Sequence, residues 1–386
     1  MFQRDHVIGA ILIAALLGLA SASRADDAGA RKSYAATIQQ AQADLDAGRI
    51  ADARRRLEST DSASRSWEYD YLLARAKAAT SGPAPDLIHT IPWPKVEARH
   101  GVLDGANRQL VFICRDGSLH IRDLKKISEE PRVVKHNGGA VWCGAFSHDG
   151  TAFGSGHENG DVVIWDAKTW KPRQIVPVGA KNAVRELVLA PDGSAFAAEG
   201  AAELELWTLS ENPAKKVAGV GQRLNFGEGL AMSPRGDTLA TGGMFDVAVF
   251  DARTGAPKKS MRHASYTMGL EYSPDGKRIA SAPRGNVNKI LAVFDIEKGQ
   301  PLFNAGPFGH YVAGLAFTPD GKRIAATGCE HLLRLFDAAT GDIVLELKRP
   351  ECGAKPGISR DGRTLGWSEP DGYKLIDLDT KPNSGP

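Results

Sequence analysis

Apolar residues return at helical intervals between positions 33 and 79: Tyr34, Ile38, Ala41 and Leu45 in one stretch, then Ile50, Ala53 and Leu57 in the next. These spacings gather them on one face of a helix. Gly48 separates the two stretches, and Trp67, Tyr71 and Leu72 mark a third helix with a packing face of its own. The Gly- and Pro-containing stretch at 81–85 reads as a linker.

From residue 86 to 380 the pattern changes to short apolar strands and tight turns, and it repeats. The clearest copies are "LAMSPRGDTLATGGMFDVAVFDARTG", "LEYSPDGKRIASAPRGNVNKILAVFDIEKG" and "LAFTPDGKRIAATGCEHLLRLFDAATG". A turn glycine recurs at Gly105, Gly150, Gly193, Gly236, Gly276, Gly321 and Gly362, at steps of 40 to 45 residues. Third-strand endings recur in step at Asp123, Asp166, Thr208, Asp251, Asp295, Asp337 and Asp377. Two markers therefore agree on seven units, and a fixed period of this length means a repeat architecture. The Asp-Gly and Arg-Gly pairs suit hairpin turns, because glycine tolerates the positive φ they need.

The period, the "SPDG"-type turns, Trp165-Asp166, Phe250-Asp251, Phe294-Asp295, Phe336-Asp337 and Gly309-His310 resemble WD40 repeats. The resemblance covers about 290 residues and implies an all-β fold, a seven-bladed WD40-type β-propeller with four-stranded blades, preceded by a small α-helical segment. "RSWEYDYL", Arg65 to Leu72, is similar to the helical Trp-Glu segment that precedes such repeats in some bacterial multidomain chains. The seventh unit ends without residues for a fourth strand, so "DLIHTIPW", Asp86 to Trp93, is expected to pair with the last blade and close the ring.

The family's hydrogen-bonded tetrad falls on His136, Ser155, Asn159 and Trp165 in blade two. Blades four to six carry Phe250, Phe294 and Phe336 instead, which have no indole N–H to donate. His263 and His310 match the His place of other blades as structural residues.

Counting ten residues back from each turn glycine overlays the entrances of the inner strands: Lys95, Ala140, Ala183, Phe226, Tyr266, Tyr311 and Cys352. On the family's geometry these stand on the top rim of the channel, and a neighbouring position adds Trp142, Arg185 and Met268. Aromatic and arginine side chains are enriched at interface hot spots, so Phe226, Tyr266, Tyr311, Trp142 and Arg185 form the expected partner-binding arc. The longer turn Pro283 to Lys289 adds Arg284 and Asn286 to the same face.

Composition changes this picture little. The chain has 386 residues, 42% hydrophobic and 24% charged, and 42 glycines suit a fold rich in turns. A formal charge of +2, with no basic run longer than Arg54-Arg55-Arg56, argues against nucleic acid as a partner. At the N-terminus, Arg4 precedes the apolar run Val7 to Ala20 and the small residues "SASRA", the layout of a secretory signal peptide over 1–25 with cleavage after Ala22 or Ala25. The expected organisation is then a helical lead-in over 26–80, the linker at 81–85, the propeller over 86–380 and a tail at 381–386, in a periplasmic or secreted monomer without a membrane span after cleavage.

Export permits disulfides. Cys329 and Cys352 are the expected pair, joining blades six and seven, and Cys114 with Cys143 is an analogous second pair, though Cys143 sits further along its strand. No C-x-x-C spacing suggests zinc, and no cofactor motif or enzyme signature occurs. Cys329-Glu330-His331 reads as a turn. The leading function is a non-enzymatic scaffold, binding a protein or peptide on the top face. The alternative is a periplasmic propeller enzyme or small-ligand binder of hydrolase or lactonase type, with a metal in the channel and Glu228 and Glu271 as its nearest carboxylates.

Overall fold

The structure is a computed structural model, and it describes residues 27–79, 87–106, 108–178, 182–199, 204–220, 229–243, 245–262, 266–284, 291–306, 308, 312–328, 331–348 and 355–377. Three helices come first: α1 (27–46), α2 (Ile50–Glu58) and α3 (Trp67–Ala78). Their apolar faces are buried as the spacing requires, with Ile38, Leu45, Leu57, Tyr71 and Leu72 wholly enclosed. Gly48 follows α1 with φ of 75°, the left-handed geometry that ends a helix, and donates its N–H to Leu45 O. Tyr34 Oη donates to Glu68 Oε1 at 2.6 Å, which ties α1 to α3. Trp67 stacks on Tyr71 at 5.1 Å.

The remaining chain forms a seven-bladed β-propeller of four-stranded antiparallel sheets. The inner strands, from blade one to blade seven, are Ala98–Leu103, Val141–Phe146, Leu187–Leu189, Leu230–Met232, Tyr266–Tyr272, Val312–Phe317 and Gly357–Ile358. Each adjoins the next, and the seventh adjoins the first. Both faces of a blade are covered by its neighbours, so the core lies in layers between blades. Val111 and Ile113 of blade one meet Phe153, Val163 and Trp165 of blade two. Val247 and Val249 of blade four meet Ile279 and Phe294 of blade five. This double coverage explains why second strands such as Ala152–His157 and Arg323–Gly328 are buried at every position.

The repeated turn has a repeated chemistry. The hydroxyl of Ser147, Ser273, Thr318 or Ser359 donates to the aspartate two residues on, at 2.5 to 2.7 Å, and the following glycine takes φ of 66° to 70°. Gly105 departs from this rule. In blade one Arg108 takes a φ of 56°, and the bond from Asp104 N to Gln109 O corresponds to that from Ser147 N to Ala152 O. Blade one therefore runs two residues out of step with the glycine count.

The aromatic-Asp endings also have a structural task. Asp166 accepts from Thr169 N and from Arg173 Nη2, and Asp251 accepts from Thr254 N and pairs with Lys258. Arg173 and Lys258 are the bulged residues of their outer strands, as are Val217 and Leu302 in blades three and five. A bulge at the exposed edge spoils the straight row of N–H and C=O groups that another strand would need. In blade six the equivalent Asp337 is buried, and it accepts from buried Arg323 at 3.0 Å and from the N–H groups of Ala339 and Thr340.

Ring closure uses the strand that the missing fourth element demands. Ile88–Ile91 pairs antiparallel with Gly372–Asp377, placing Ile88 opposite Ile376 and Ile91 opposite Tyr373. Trp93 Nε1 donates to Glu369 O at 2.9 Å, and Arg108 of blade one pairs with Asp377 of blade seven. Tyr373 fills the seam between Gly101, Gly357 and Gly366. A Cβ on Gly101 would lie 2.6 Å from its ring, so the backbone there can approach only as glycine.

Candidate functional site

In blades one, two, five and six the pairing of inner and second strands slips by one residue at the same place. The residues left over are Arg99, Trp142, Met268 and Ala313. Such a bulge re-aims a side chain. Arg185 stands eight residues before Gly193 in blade three, as Trp142 does before Gly150 in blade two. Three consecutive blades thus bring Arg99, Trp142 and Arg185 to one level.

The three side chains form one group. The Arg99 guanidinium carbon lies 3.5 Å from the Trp142 ring centroid and that of Arg185 lies 5.2 Å away, both within cation–π range. Arg185 is exposed, while Arg99 and Trp142 are half-buried. Among the described residues, the buried Arg99 Nε and Trp142 Nε1 find no hydrogen-bond acceptor. Burial and the nearby Arg115 charge disfavour the charged form of Arg99; Glu97 and Glu158 oppose that effect, and Arg185 adds to it. Both acids are already engaged, Glu97 with Arg115 at 2.8 Å and Glu158 with Ala140 N at 3.2 Å. Positive charge therefore remains in excess around the indole.

The group sits where the inner strand starts and the turn after the second strand lies. Bonds from Glu158 N to Ala140 O and from Arg115 N to Glu97 O tie that turn to the strand entrance in both blades. These bonds correct the overlay: blade one's entrance is Glu97, not Lys95, and its counterpart of Trp142 is Arg99. The sequence did contain a better marker, because Gly117 and Gly160 both lie 18 residues beyond the bulged position.

The other expected arc residues are divided. Tyr266 opens the inner strand of blade five with its backbone opposite Arg284, which puts both positions at this end of the blade. Their side chains lie outside the described part, as do Phe226, Tyr311, Asn286, His263 and His310 altogether.

The tetrad is rearranged. Trp165 Nε1 donates to Ser155 Oγ at 2.8 Å as the resemblance implies, but Ser155 Oγ bonds to His157 Nε2 at 2.9 Å, not to His136. His157 is two residues beyond Ser155, so both side chains share one face of the strand. His136 Nε2 instead meets Asp161 Oδ2 at 2.9 Å, and Asn159 Nδ2 donates to the same oxygen at 2.7 Å. The two imidazoles touch edge to face at 4.9 Å.

Burial, reinforced by the neighbouring His136, pushes His157 down to about 4. Burial, with Arg99 adjacent, does the same to His100. An unfolded histidine titrates near 6.5. The unfolded chain therefore takes up protons between about pH 6.5 and 4 that the folded protein refuses. Stability is full above pH 6.5 and falls as pH drops toward 4, by up to about 1.4 kcal/mol per pH unit for each histidine. Urea midpoints at neutral and mildly acidic pH should show this slope, and His157→Gln should flatten it; an equally steep slope in the variant would remove His157 as its source.

Cys114 and Cys143 are both buried and not bridged. Cys114 points into the layer between blades seven and one, whereas Cys143 faces the layer between blades two and three. The second disulfide is excluded because the two thiols face opposite ways. Burial pushes the Cys114 thiol up to about 11, and Cys143 Sγ donates to Val184 O. Cys329 and Cys352 lie outside the described residues, and His331 takes a left-handed φ of 63°, in keeping with a turn.

In the channel, Glu271 of blade five is paired with Lys355 of blade seven at 2.8 Å, so its carboxylate is already committed. Glu228 lies outside the described residues. Among the described residues, no group of three or more His, Cys, Asp or Glu side chains could hold a metal ion.

Comparison with known proteins agrees with the fold. Residues 129–166 and 303–337 match the WD40 family, described as WD domain, G-beta repeat. The crystal structure of the Cps50 (Swd1) β-propeller domain of Myceliophteria thermophila is similar, with 16% identity and a TM-score of 0.64 over 75% of this chain and 99% of that one. No curated protein matches the chain. The protein is a seven-bladed WD40-type propeller with N-terminal helices.

Proposed function

We propose that the protein is an exported, non-enzymatic interaction module that presents the top face of its propeller, the end bearing the inner-strand bulges, to a protein or peptide. The observation that carries this reading is the Arg99, Trp142 and Arg185 group. An indole with two guanidinium groups against it is pre-shaped, so binding there loses little side-chain entropy. Phe226, Tyr266, Tyr311 and Arg284 extend the same surface on the strength of their place in the repeat. Export rests on the arrangement of Arg4, the apolar run Val7 to Ala20 and "SASRA".

Affinity capture from the envelope fraction, comparing wild type with Trp142→Ala, tests both parts. The expected result is a mature N-terminus just after Ala22 or Ala25 and a partner lost from the variant. Identical captures would sink the top-face reading, and an intact N-terminus in the cytosol would sink export.

A further inference from the structure

We infer that the Arg99, Trp142 and Arg185 group takes an acidic peptide segment, with a Glu or Asp carboxylate seated against the two guanidinium groups. This rests on the top-face reading above and adds the chemistry of the partner. The argument is one of charge complementarity. Three arginines, Arg99, Arg115 and Arg185, share this corner with Glu97 and Glu158. Glu97 is held by Arg115, and Glu158 is turned to the backbone of Ala140. Arg99 and Arg185 are left with the Trp142 ring as their neighbour and no ion pair of their own among the described residues.

A ring quadrupole offsets part of a guanidinium's charge but offers no in-plane acceptor. The buried Arg99 Nε and Trp142 Nε1, without acceptors among the described residues, leave further positive potential beside the exposed Arg185. A carboxylate matches the fork of a guanidinium and gains from a partly desolvated setting. Glu271 and Lys355, by contrast, already neutralise each other. The basic corner spans blades one to three, and an extended acidic segment laid across these entrances would meet it.

The test is fluorescence anisotropy with fluorescein-labelled hexaglutamate, and labelled hexalysine as the opposite probe, at low salt on the full mature chain. Wild type should bind hexaglutamate and not hexalysine, with affinity falling as salt rises. Arg185→Glu, an exposed change, should weaken binding about tenfold or more, and Arg185→Lys by less, since the charge stays while the fork is lost. Lys168→Glu, at the opposite end of blade two, should bind as wild type. Equal binding by wild type and Arg185→Glu would overturn the inference, as would an equal loss in Lys168→Glu, or free citrate binding as tightly as the peptide. Such a failure alongside partner capture that still depends on Trp142 would remove the acidic peptide while leaving the top-face module in place.

Discussion

Replacing Asp337 by alanine is expected to cost about 3–5 kcal/mol of folding stability, the range for removing one partner of a buried ion pair. Asp337 is 3% exposed and Arg323 is 2% exposed, so the guanidinium left behind cannot turn to water without opening blade six. The same substitution strips the acceptor from Ala339 N and Thr340 N, which hold the turn beyond the third strand. Urea denaturation of the single variant and of Arg323→Met with Asp337→Ala separates the causes. The double variant should recover part of the loss, because the desolvated charge is gone. A single-variant loss under about 1 kcal/mol would show that this pair behaves like a surface one.

Tyr373→Ala should be comparably damaging, at about 3–5 kcal/mol for emptying a large aromatic site in a packed interior. The ring is enclosed by glycine backbone from blades one and seven and meets Phe112 edge-on at 6.5 Å. Backbone cannot fill the void as a neighbouring side chain might. The injury should be local: hydrogen exchange is expected to quicken first in Ile88–Ile91 and Gly372–Asp377, the two strands that meet there. Ile175→Ala, at an exposed outer-strand position, should change little by comparison. Uniform acceleration across all blades would count against a seam that fails separately.

The architecture was legible because a propeller writes its period twice, once in turn glycines and once in the aromatic-Asp endings. The closing strand was legible for a related reason: a seventh unit one strand short must borrow it. The site was harder to read. Arg99 escaped because Gly105 imitates a turn glycine while the turn is closed by the bond from Asp104 N to Gln109 O, two residues later than the glycine count assumes, and that error moves the overlay to the wrong side chain. His157 escaped because the family pattern names a position ahead of the blade, whereas the hydrogen bond follows the nearest imidazole on Ser155's own strand face. Bulges carry no signature in alternation, yet they set where Arg99 and Trp142 point. Cys114 and Cys143 looked pairable by analogy with Cys329 and Cys352, but opposite inter-blade layers claimed them.

The seam also dictates an order of events in the making of the protein. Hairpins within blades two to six join neighbours in sequence and can form as the chain emerges, but Ile88–Ile91 has no partner until Gly372–Asp377 has been synthesised. The ring stays open until those residues are present. A chain that stops short in blade seven leaves that early strand unpaired and the apolar flank of blade one, with Leu110 and Phe112, uncovered. Closure thereby depends on blade seven being whole: a product that lacks Gly372–Asp377 exposes this apolar flank, and one that has it hides it.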